Sequence, residues 1–362
     1  MSGTHLLLSM GTALVECVPN FSEGRDAEAI KAILASVAGI PGCHLLSAEP
    51  DADYNRTVVT LAGEPEAVSE AAFRLISAAK DHIDMRNHSG EHPRLGAVDV
   101  CPFIPLREIS MEECADLAIL LGHRVSQELE LPVYHYGSAA SDDSRKMLST
   151  LRKGEYEGLQ DRLKEDDHVA SKEELHSEDT RWPDQGPRIW NDEIARFGAV
   201  VIGARDILVA YNVNLDETDA VVSKLAGTLV RSSGRLLKRE DGGKMRIPGM
   251  LTKVQGMGVT LEGHGISQVS MNLLDVSTTP LHFAYEAVKS IAGDHGVEVC
   301  GSELVGLVPL SAMIESGKWY HDDSTATDEN ELVSAAISGL GLDSLGEFNP
   351  AERIIEWAIG DE

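Results

Sequence analysis

Residues 43–82 decide the fold: CHLLSAEPDADYNRTVVTLAGEPEAVSEAAFRLISAAKDH. Residues 43–49 (CHLLSAE) and 56–63 (RTVVTLAG) carry aliphatic and β-branched side chains of the kind that pack on a pleated surface, and they read as two strands. The intervening PDADYN is polar and turn-forming. Pro65 opens a helix over 64–82, where its missing N–H costs nothing in the first turn. Upstream, residues 13–21 (ALVECVPNF) read as a strand and 26–38 (DAEAIKAILASVA) as a helix by apolar spacing. Downstream, 97–106 (AVDVCPFIPL) reads as a strand, MEECADLAILLGHRVSQELE as a long helix and PVYHYGSA as another strand. The opening order β-α-β-β-α-β is the split βαβ, or ferredoxin-like, arrangement.

The second half repeats this logic. GAVVIGA and ILVAYNVNL read as strands, ETDAVVSKLAGTLVRSS as a helix, LTKVQGMGVTL and ISQVSMNLL as strands, PLHFAYEAVKSIAGDHG as a helix, and VEVCGSELVGLVPL as a strand. The fold class is therefore α+β, two tandem ferredoxin-like subdomains, although no repeat is visible at the level of sequence identity. Between the halves, residues 155–184 hold eleven acids against four bases and read as a solvated linker. This places the expected domains at 1–185 and 186–362.

The chain has 362 residues and a formal net charge of −28. That charge opposes non-specific nucleic-acid binding and docking on anionic membranes, both of which need basic surfaces. No stretch approaches the roughly 20 apolar residues that span a bilayer. The N-terminal MSGTHLLLSMGTALVECV lacks a basic leader region, so it does not read as a signal peptide, and Met10 reads as an alternative start. Cys17, Cys43, Cys101, Cys114 and Cys300 are scattered and show no CxxC spacing, as expected of reduced thiols in a cytoplasmic protein.

Chemistry concentrates in residues 84–105, DMRNHSGEHPRLGAVDVCPFIP. Gly90, Pro93 and Gly96 oppose helix, so the segment is a loop between a helix and a strand, a common place for function. His88, Glu91, His92, Arg94 and Asp99 offer a base, acids and a cation within a dozen residues. The competing structural reading, in which the histidines only bond loop backbone, stands about level with it. Zinc ligation by His88 and His92 is a lesser option, because a helix there is disfavoured. Three more clusters have both structural and functional readings. Ser22 could cap a helix or help bind a carboxylate. Asp51, Asp53, Asn55 and Arg56 could be an ordinary turn or part of a site. Trp182 and Trp190 could plug the domain boundary or stack on a flat heterocycle. Arg231 to Lys253 is a basic stretch, either a solvated hairpin or a patch for a polyanionic substrate tail.

VECVPNFSEGRD, DYNRTVVTLAG, the 84–105 block, YHYGSAA, LRKGEYEGL, WPDQGP, AYNVNL and GSELVGLVPL together resemble the glutamate formiminotransferase family over nearly the whole chain. The chain is too short to add the cyclodeaminase domain found with this unit in vertebrates, so the resemblance is to the monofunctional form. It implies transfer of a formimino group from N-formimino-L-glutamate to N5 of tetrahydrofolate in histidine breakdown. Tetrahydrofolate, free or polyglutamylated, is then a co-substrate, and no metal, nucleic acid or membrane is expected. It also implies a ligand groove between the subdomains, a homodimer and a cytoplasmic location. The family's catalytic histidine falls on His92. From their chemistry, Arg56 and Arg94 are expected to bind substrate carboxylates and Glu91, Asp99 or Asp53 to meet the amidinium, so the expected substrate set is Asn55, Arg56, Glu91, Arg94 and Asp99. The folate segment begins at the GP of PDQGP and covers Gly186, Pro187, Arg188, Ile189, Trp190, Asn191, Phe197 and Gly198. Rival expectations are an N-formylglutamate donor, a metal-dependent hydrolase of formiminoglutamate, and a non-catalytic folate-binding module.

Overall fold

The computed structural model describes residues 12–90, 92–163, 178–238 and 242–360. The chain divides into two compact units, Met1–Arg205 and Asp206–Glu362.

In the first unit the elements are β1 (Leu14–Cys17), β2 (Asn20–Phe21), α1 (Ala27–Ala35), β3 (Cys43–Asp51), β4 (Arg56–Gly63), α2 (Pro65–His82), β5 (Val98–Arg107), α3 (Met111–Glu128) and β6 (Val133–Gly137). There follow α4 (Leu148–Leu151), α5 (Glu155–Arg162), α6 (Glu178–Arg181), α7 (Asp192–Phe197) and β7 (Val200–Ala204). The expected strand over 13–21 is interrupted at Val18-Pro19, where proline cannot donate to a ladder, and continues as β2. Both β1 and β2 pair antiparallel with β4 on one side and β5 on the other, while β3 pairs with β4. That lateral order is the one a split βαβ unit requires. β5 then pairs in parallel with β7, and β7 with β6, extending the sheet.

This extension moves the expected boundary. The seam after residue 185 falls instead at Arg205, because β7 is an internal strand of the first unit's sheet and is fully buried. α1, α2 and α3 cover one sheet face with a core that includes Ile33, Leu75, Ile76 and Phe103. A smaller cluster on Val100, Tyr134, Tyr136 and Val201 packs beneath Leu151, Leu159 and Ile194 on the other. The helix expected over 26–38 is capped by Asp26, whose carboxylate accepts from Glu28 N and Ala29 N, and not by Ser22.

The second unit holds β8 (Val209–Leu215), α8 (Val221–Val230), a hairpin of β9 (Arg235–Lys238) and β10 (Lys244–Ile247), β11 (Val254–Leu261), β12 (Ile266–Leu273), α9 (Leu281–Asp294) and β13 (Val299–Val305). α10 (Leu310–Tyr320), α11 (Glu329–Leu340), α12 (Pro350–Arg353) and α13 (Ile355–Ala358) complete it. Its four-stranded sheet has the order β11-β12-β8-β13, so the split βαβ arrangement recurs. The basic stretch forms the exposed β9–β10 hairpin. Cys17 and Cys101 are buried with sulfurs 3.5 Å apart and Cys300 is exposed; all five cysteines are free thiols. Among the described residues, no helix is long and apolar enough to cross a membrane.

Candidate active site

The loop of residues 83–97 joins α2 to β5, and the sequence anchors it at both ends. Asp84 accepts from Arg86 N and starts a 3-10 turn over Met85–Asn87, with Met85 buried. At the other end, Leu95 and Ala97 are fully buried. Ser22 Oγ donates to Gly96 O at 2.7 Å, Ala97 N donates to Phe197 O at 2.6 Å, and Ala199 N donates to Leu95 O at 3.0 Å. A Cβ on Gly90 would lie 2.4 Å from Tyr54 O, so only glycine lets this loop meet the β3–β4 turn.

Asn55 organises that meeting. It holds the left-handed conformation, φ 50°. Its Oδ1 accepts from Gly24 N at 3.0 Å, and its Nδ2 donates to Ser89 O at 2.9 Å. The neighbouring Asp51 accepts from Asp53 N and Tyr54 N, both at 3.0 Å, an ordinary Asx turn. His88 Nε2 lies 3.0 Å from Asn55 O, and Arg94 Nε donates to His88 Nδ1 at 3.2 Å. Nδ1 is thus an acceptor, and the ring's proton sits on Nε2. Burial pulls the His88 pKa down, in keeping with that neutral form.

Arg94 is 5% exposed and already committed. Nη1 donates to Glu155 at 3.1 Å and to Glu157 at 2.9 Å, while Nη2 donates to Glu157 Oε1 at 2.5 Å. It therefore braces the loop against α5, with few donors left for the substrate carboxylate expected of it. Burial opposes ionisation of Glu157, but the bonds from Arg94 prevail and hold its carboxyl below the usual range. His88, Arg94 and the 154–157 turn line a cavity of about 430 Å3.

His92 is buried, 8% exposed, and its backbone N–H donates to Tyr54 O at 3.4 Å. Burial and the positive charge of Arg152, then Arg56 and Arg94, push its pKa down to about 4. The imidazole is therefore neutral at pH 7. Arg56 donates to Asn20 Oδ1 at 3.5 Å, its guanidinium lies 5.4 Å from the Tyr54 ring, and its buried Nε has no partner among the described residues. That orphaned donor fits a site built to receive an anion.

Asp99 serves differently from expectation. It is 1% exposed, accepts from Leu95 N at 2.9 Å and Arg152 Nε at 3.3 Å on Oδ1, and accepts Arg152 Nη2 on Oδ2. Burial pushes its carboxyl pKa up and Arg152 opposes that rise. With both oxygens engaged by Leu95 and Arg152, it clamps the loop. Glu91 lies outside the described residues, as do residues 164–177 of the acidic stretch. Among the described residues, no three His, Cys, Asp or Glu side chains are placed to hold a metal.

The 186–198 segment comes to the same loop. Gly198 bridges Gly96, and Phe197 is fully buried, so these two support the loop's backbone. Asn191 caps α7 by accepting from Ile194 N at 2.9 Å. Trp190 sits 6.1 Å from the Tyr156 ring, Arg188 lies 5.8 Å from the Trp182 ring, and Ile189 is 54% exposed. Trp182 and Trp190 are both partly buried and pack against the first unit's smaller core cluster. Composition had not marked Arg152, Glu155 and Glu157 as candidates. The signal available was their charge density around Gly154, whose φ of 80° turns the chain into α5.

Residues 14–205 match a family described as "Formiminotransferase domain, N-terminal subdomain", and residues 210–360 match "Formiminotransferase domain". The chain is 45% identical over 348 residues to a chicken (Gallus gallus) formimidoyltransferase-cyclodeaminase, covering 96% of this chain and 60% of that protein. It is 40% identical over 311 residues to a Thermoplasma acidophilum glutamate formimidoyltransferase, covering 85% and 92% respectively. A Streptococcus pyogenes glutamate formimidoyltransferase is 36% identical over 307 residues, covering 85% and 93%.

Proposed function

The chain belongs to the formiminotransferase family, and from that premise we propose that it moves the formimino group of N-formimino-L-glutamate onto N5 of tetrahydrofolate, releasing L-glutamate. The observation that carries this reading is His92, a buried imidazole held in its base form beside Arg56, which keeps an unpartnered buried donor.

The donor carbon is part of an amidinium, a cation at neutral pH. The N5 lone pair attacks it and a C–N bond forms, giving a tetrahedral carbon that bears three nitrogens. No oxyanion develops, so no oxyanion hole is needed. His92 takes the N5 proton and then delivers it to the glutamate nitrogen as that C–N bond breaks. A proton transfer of this kind contributes about 10²–10⁴-fold. Arg56 takes a carboxylate of the donor. An anion beside Arg56 and Arg152 offsets the positive charge that holds the imidazole pKa down, so donor binding makes His92 a stronger base. Arg94, Asn55 and Asp99 hold the loop in register. The folate lies along the 186–198 segment. The same reading carries a homodimer acting in cytoplasmic histidine breakdown, with no resident metal.

The test is His92→Ala in an absorbance assay with formiminoglutamate and tetrahydrofolate, each omitted in turn. The reading expects turnover to need both substrates and kcat to fall by at least about 10²-fold in the variant. Turnover without folate, or a kcat close to wild type, overturns it.

A further inference from the structure

Arg162, the last residue of α5, is 6% exposed, and the site above does not use it. Its donors go to main-chain carbonyls on either side of it in sequence. Nη1 donates to Leu151 O at 2.7 Å, at the end of α4, and Nε donates to Arg181 O at 2.7 Å, at the end of α6. Nη2 donates to Thr180 O. Arg181 reciprocates, its Nε donating to Arg162 O at 3.1 Å. The Arg162 guanidinium lies 4.1 Å from the ring centre of buried Tyr134, whose hydroxyl donates to Arg181 O at 3.1 Å. A planar fork with donors in fixed directions serves three carbonyls at once, which the single ammonium of a lysine cannot do in the same geometry.

The two ends it holds lead to different places. The Leu151 carbonyl belongs to the peptide link to Arg152, which pairs with Asp99. The charged groups that bear on His92 are Arg152 after α4, Arg56 on β4, and Arg94 and His88 on its own loop. The Arg181 carbonyl belongs to the link to Trp182. From there Arg145 Nη2 donates to Trp182 O at 3.1 Å and to Asp184 Oδ2 at 2.5 Å, and Asp184 also accepts from His135 N at 2.7 Å and Ser141 Oγ at 2.8 Å. Val133 N of β6 then donates to Gln185 O at 2.9 Å. Gly186 turns the chain at φ 87°, where a Cβ would lie 2.2 Å from Leu131 O. The 186–198 segment starts from this seating.

We propose that Arg162 is a positioning residue that sets two things at once: Arg152 beside the His92 loop, and the chain that enters the 186–198 segment. The second half rests on the folate-dependent reading above, and the first half does not. Replacing Arg162 by a side chain of the same charge without the fork takes the donor from the Leu151 carbonyl. Arg152 then shifts, less positive charge faces His92, and the imidazole accepts a proton more readily. On the other side, residues 180–185 lose one of their two arginine anchors, so the segment that follows has to be ordered when folate binds.

The experiment titrates His92 by NMR and measures steady-state kinetics above neutral pH for the full chain and for Arg162→Lys, Tyr134→Phe and Leu159→Ala, with thermal melting to confirm folding. Arg162→Lys should raise the His92 pKa from about 4 toward the ordinary value of about 6.5 and raise the tetrahydrofolate KM about tenfold, with saturating kcat and the formiminoglutamate KM near wild type. Tyr134→Phe removes a donor to Arg181 O alone, so it should raise that KM by a smaller factor and leave the titration in place. Leu159 is buried on the same helix and its apolar side chain bonds neither carbonyl, so Leu159→Ala should lower the melting temperature and move neither readout. An unchanged titration and KM in folded Arg162→Lys overturns the positioning role, and equal shifts in Leu159→Ala overturn it as mere stability. A raised His92 pKa with an unchanged tetrahydrofolate KM in both Arg162→Lys and Tyr134→Phe overturns the second half alone. Wild-type turnover without tetrahydrofolate overturns the transferase reading, and the His92 titration then still decides the first half.

Discussion

The two units share a strand order and differ in one connection. In the first unit the chain from α2 to β5 runs over residues 83–97 and carries His88, His92 and Arg94. In the second, the equivalent step from α9 to β13 takes only residues 295–298. The first unit also adds α4 to β7, which supply Arg152, Glu155, Glu157 and the Gly198 bridge to that loop. The split βαβ core is thus a platform, and the buried charged machinery was built by lengthening its connections. The second unit keeps the short connection.

This comparison can be broken or sharpened by experiment. The largest effect is expected at the loop clamp. Asp99→Ala strands the Arg152 guanidinium and the Leu95 N–H, and should cost about 3–5 kcal/mol of stability in urea unfolding. In the second unit, Glu217 caps α8 by accepting from Val222 N and Ser223 N, both at 2.9 Å, and Glu217→Ala should cost about 1 kcal/mol. Equal costs would remove the distinction between a buried clamp and an ordinary cap.

Next is loop placement. Gly90→Ala forces the chain away from Tyr54 O and should lower kcat/KM by about 10²-fold, because misplacement of a reacting group by 1 Å is that costly. Gly296→Ala, with open space around it, should leave kcat/KM unchanged and cost about 1 kcal/mol for its positive φ. A variant of Gly90 with wild-type kinetics would show that the meeting of the two turns does not matter.

The pH profile is a finer probe. His92 must be neutral to accept a proton, so kcat/KM should fall as pH drops through about 4 and be flat above it until another group titrates. Arg152→Gln should move that limb upward, and a wild-type limb near the ordinary histidine value would contradict both the burial and the arginine effects. The linked stability has the same sign. The unfolded chain binds the proton near the ordinary histidine pKa of about 6.5 and the folded chain only near 4, so His92 withdraws stability as pH falls between them. His92→Asn should flatten that part of the curve.

The smallest effect is on the outer surface of α2. Arg74→Ala breaks an exposed pair with Glu70 at 2.6 Å and should change stability by less than about 1 kcal/mol, with no change in kcat/KM.

Much of this was legible in the residues. The strand pair 43–63, the helix that follows Pro65 and the split βαβ order in both halves came from local pattern, which the fold obeyed because each element buries an apolar stripe. The density of polar residues at 84–99 marked the loop on which the structure brings His88 and Arg94 together and buries His92. What was not legible followed from long-range pairing. Nothing local in GAVVIGA says that it inserts between β5 and β6, so the boundary was expected too early. The shared charges of Arg94 and Asp99 looked like substrate contacts until their partners, Glu155, Glu157 and Arg152, arrived from more than fifty residues away. Ser22 looked like a helix cap because its Gly96 partner is remote.

The amino-acid sequence by itself determined the α+β class, the tandem repetition of the split βαβ order, the net acidity of the chain and the polar loop at 84–99. These follow from hydrophobic periodicity, turn chemistry and composition, all local properties of the chain. Only the tertiary structure decided that His92 is buried among three arginines and so rests as a neutral base. It also decided that Arg94 and Asp99 are braces, and that Arg56 keeps an unspent donor. A side chain's charge state and free hydrogen-bonding capacity depend on solvent exclusion and on partners distant in sequence, and those exist only once the sheet has brought them together.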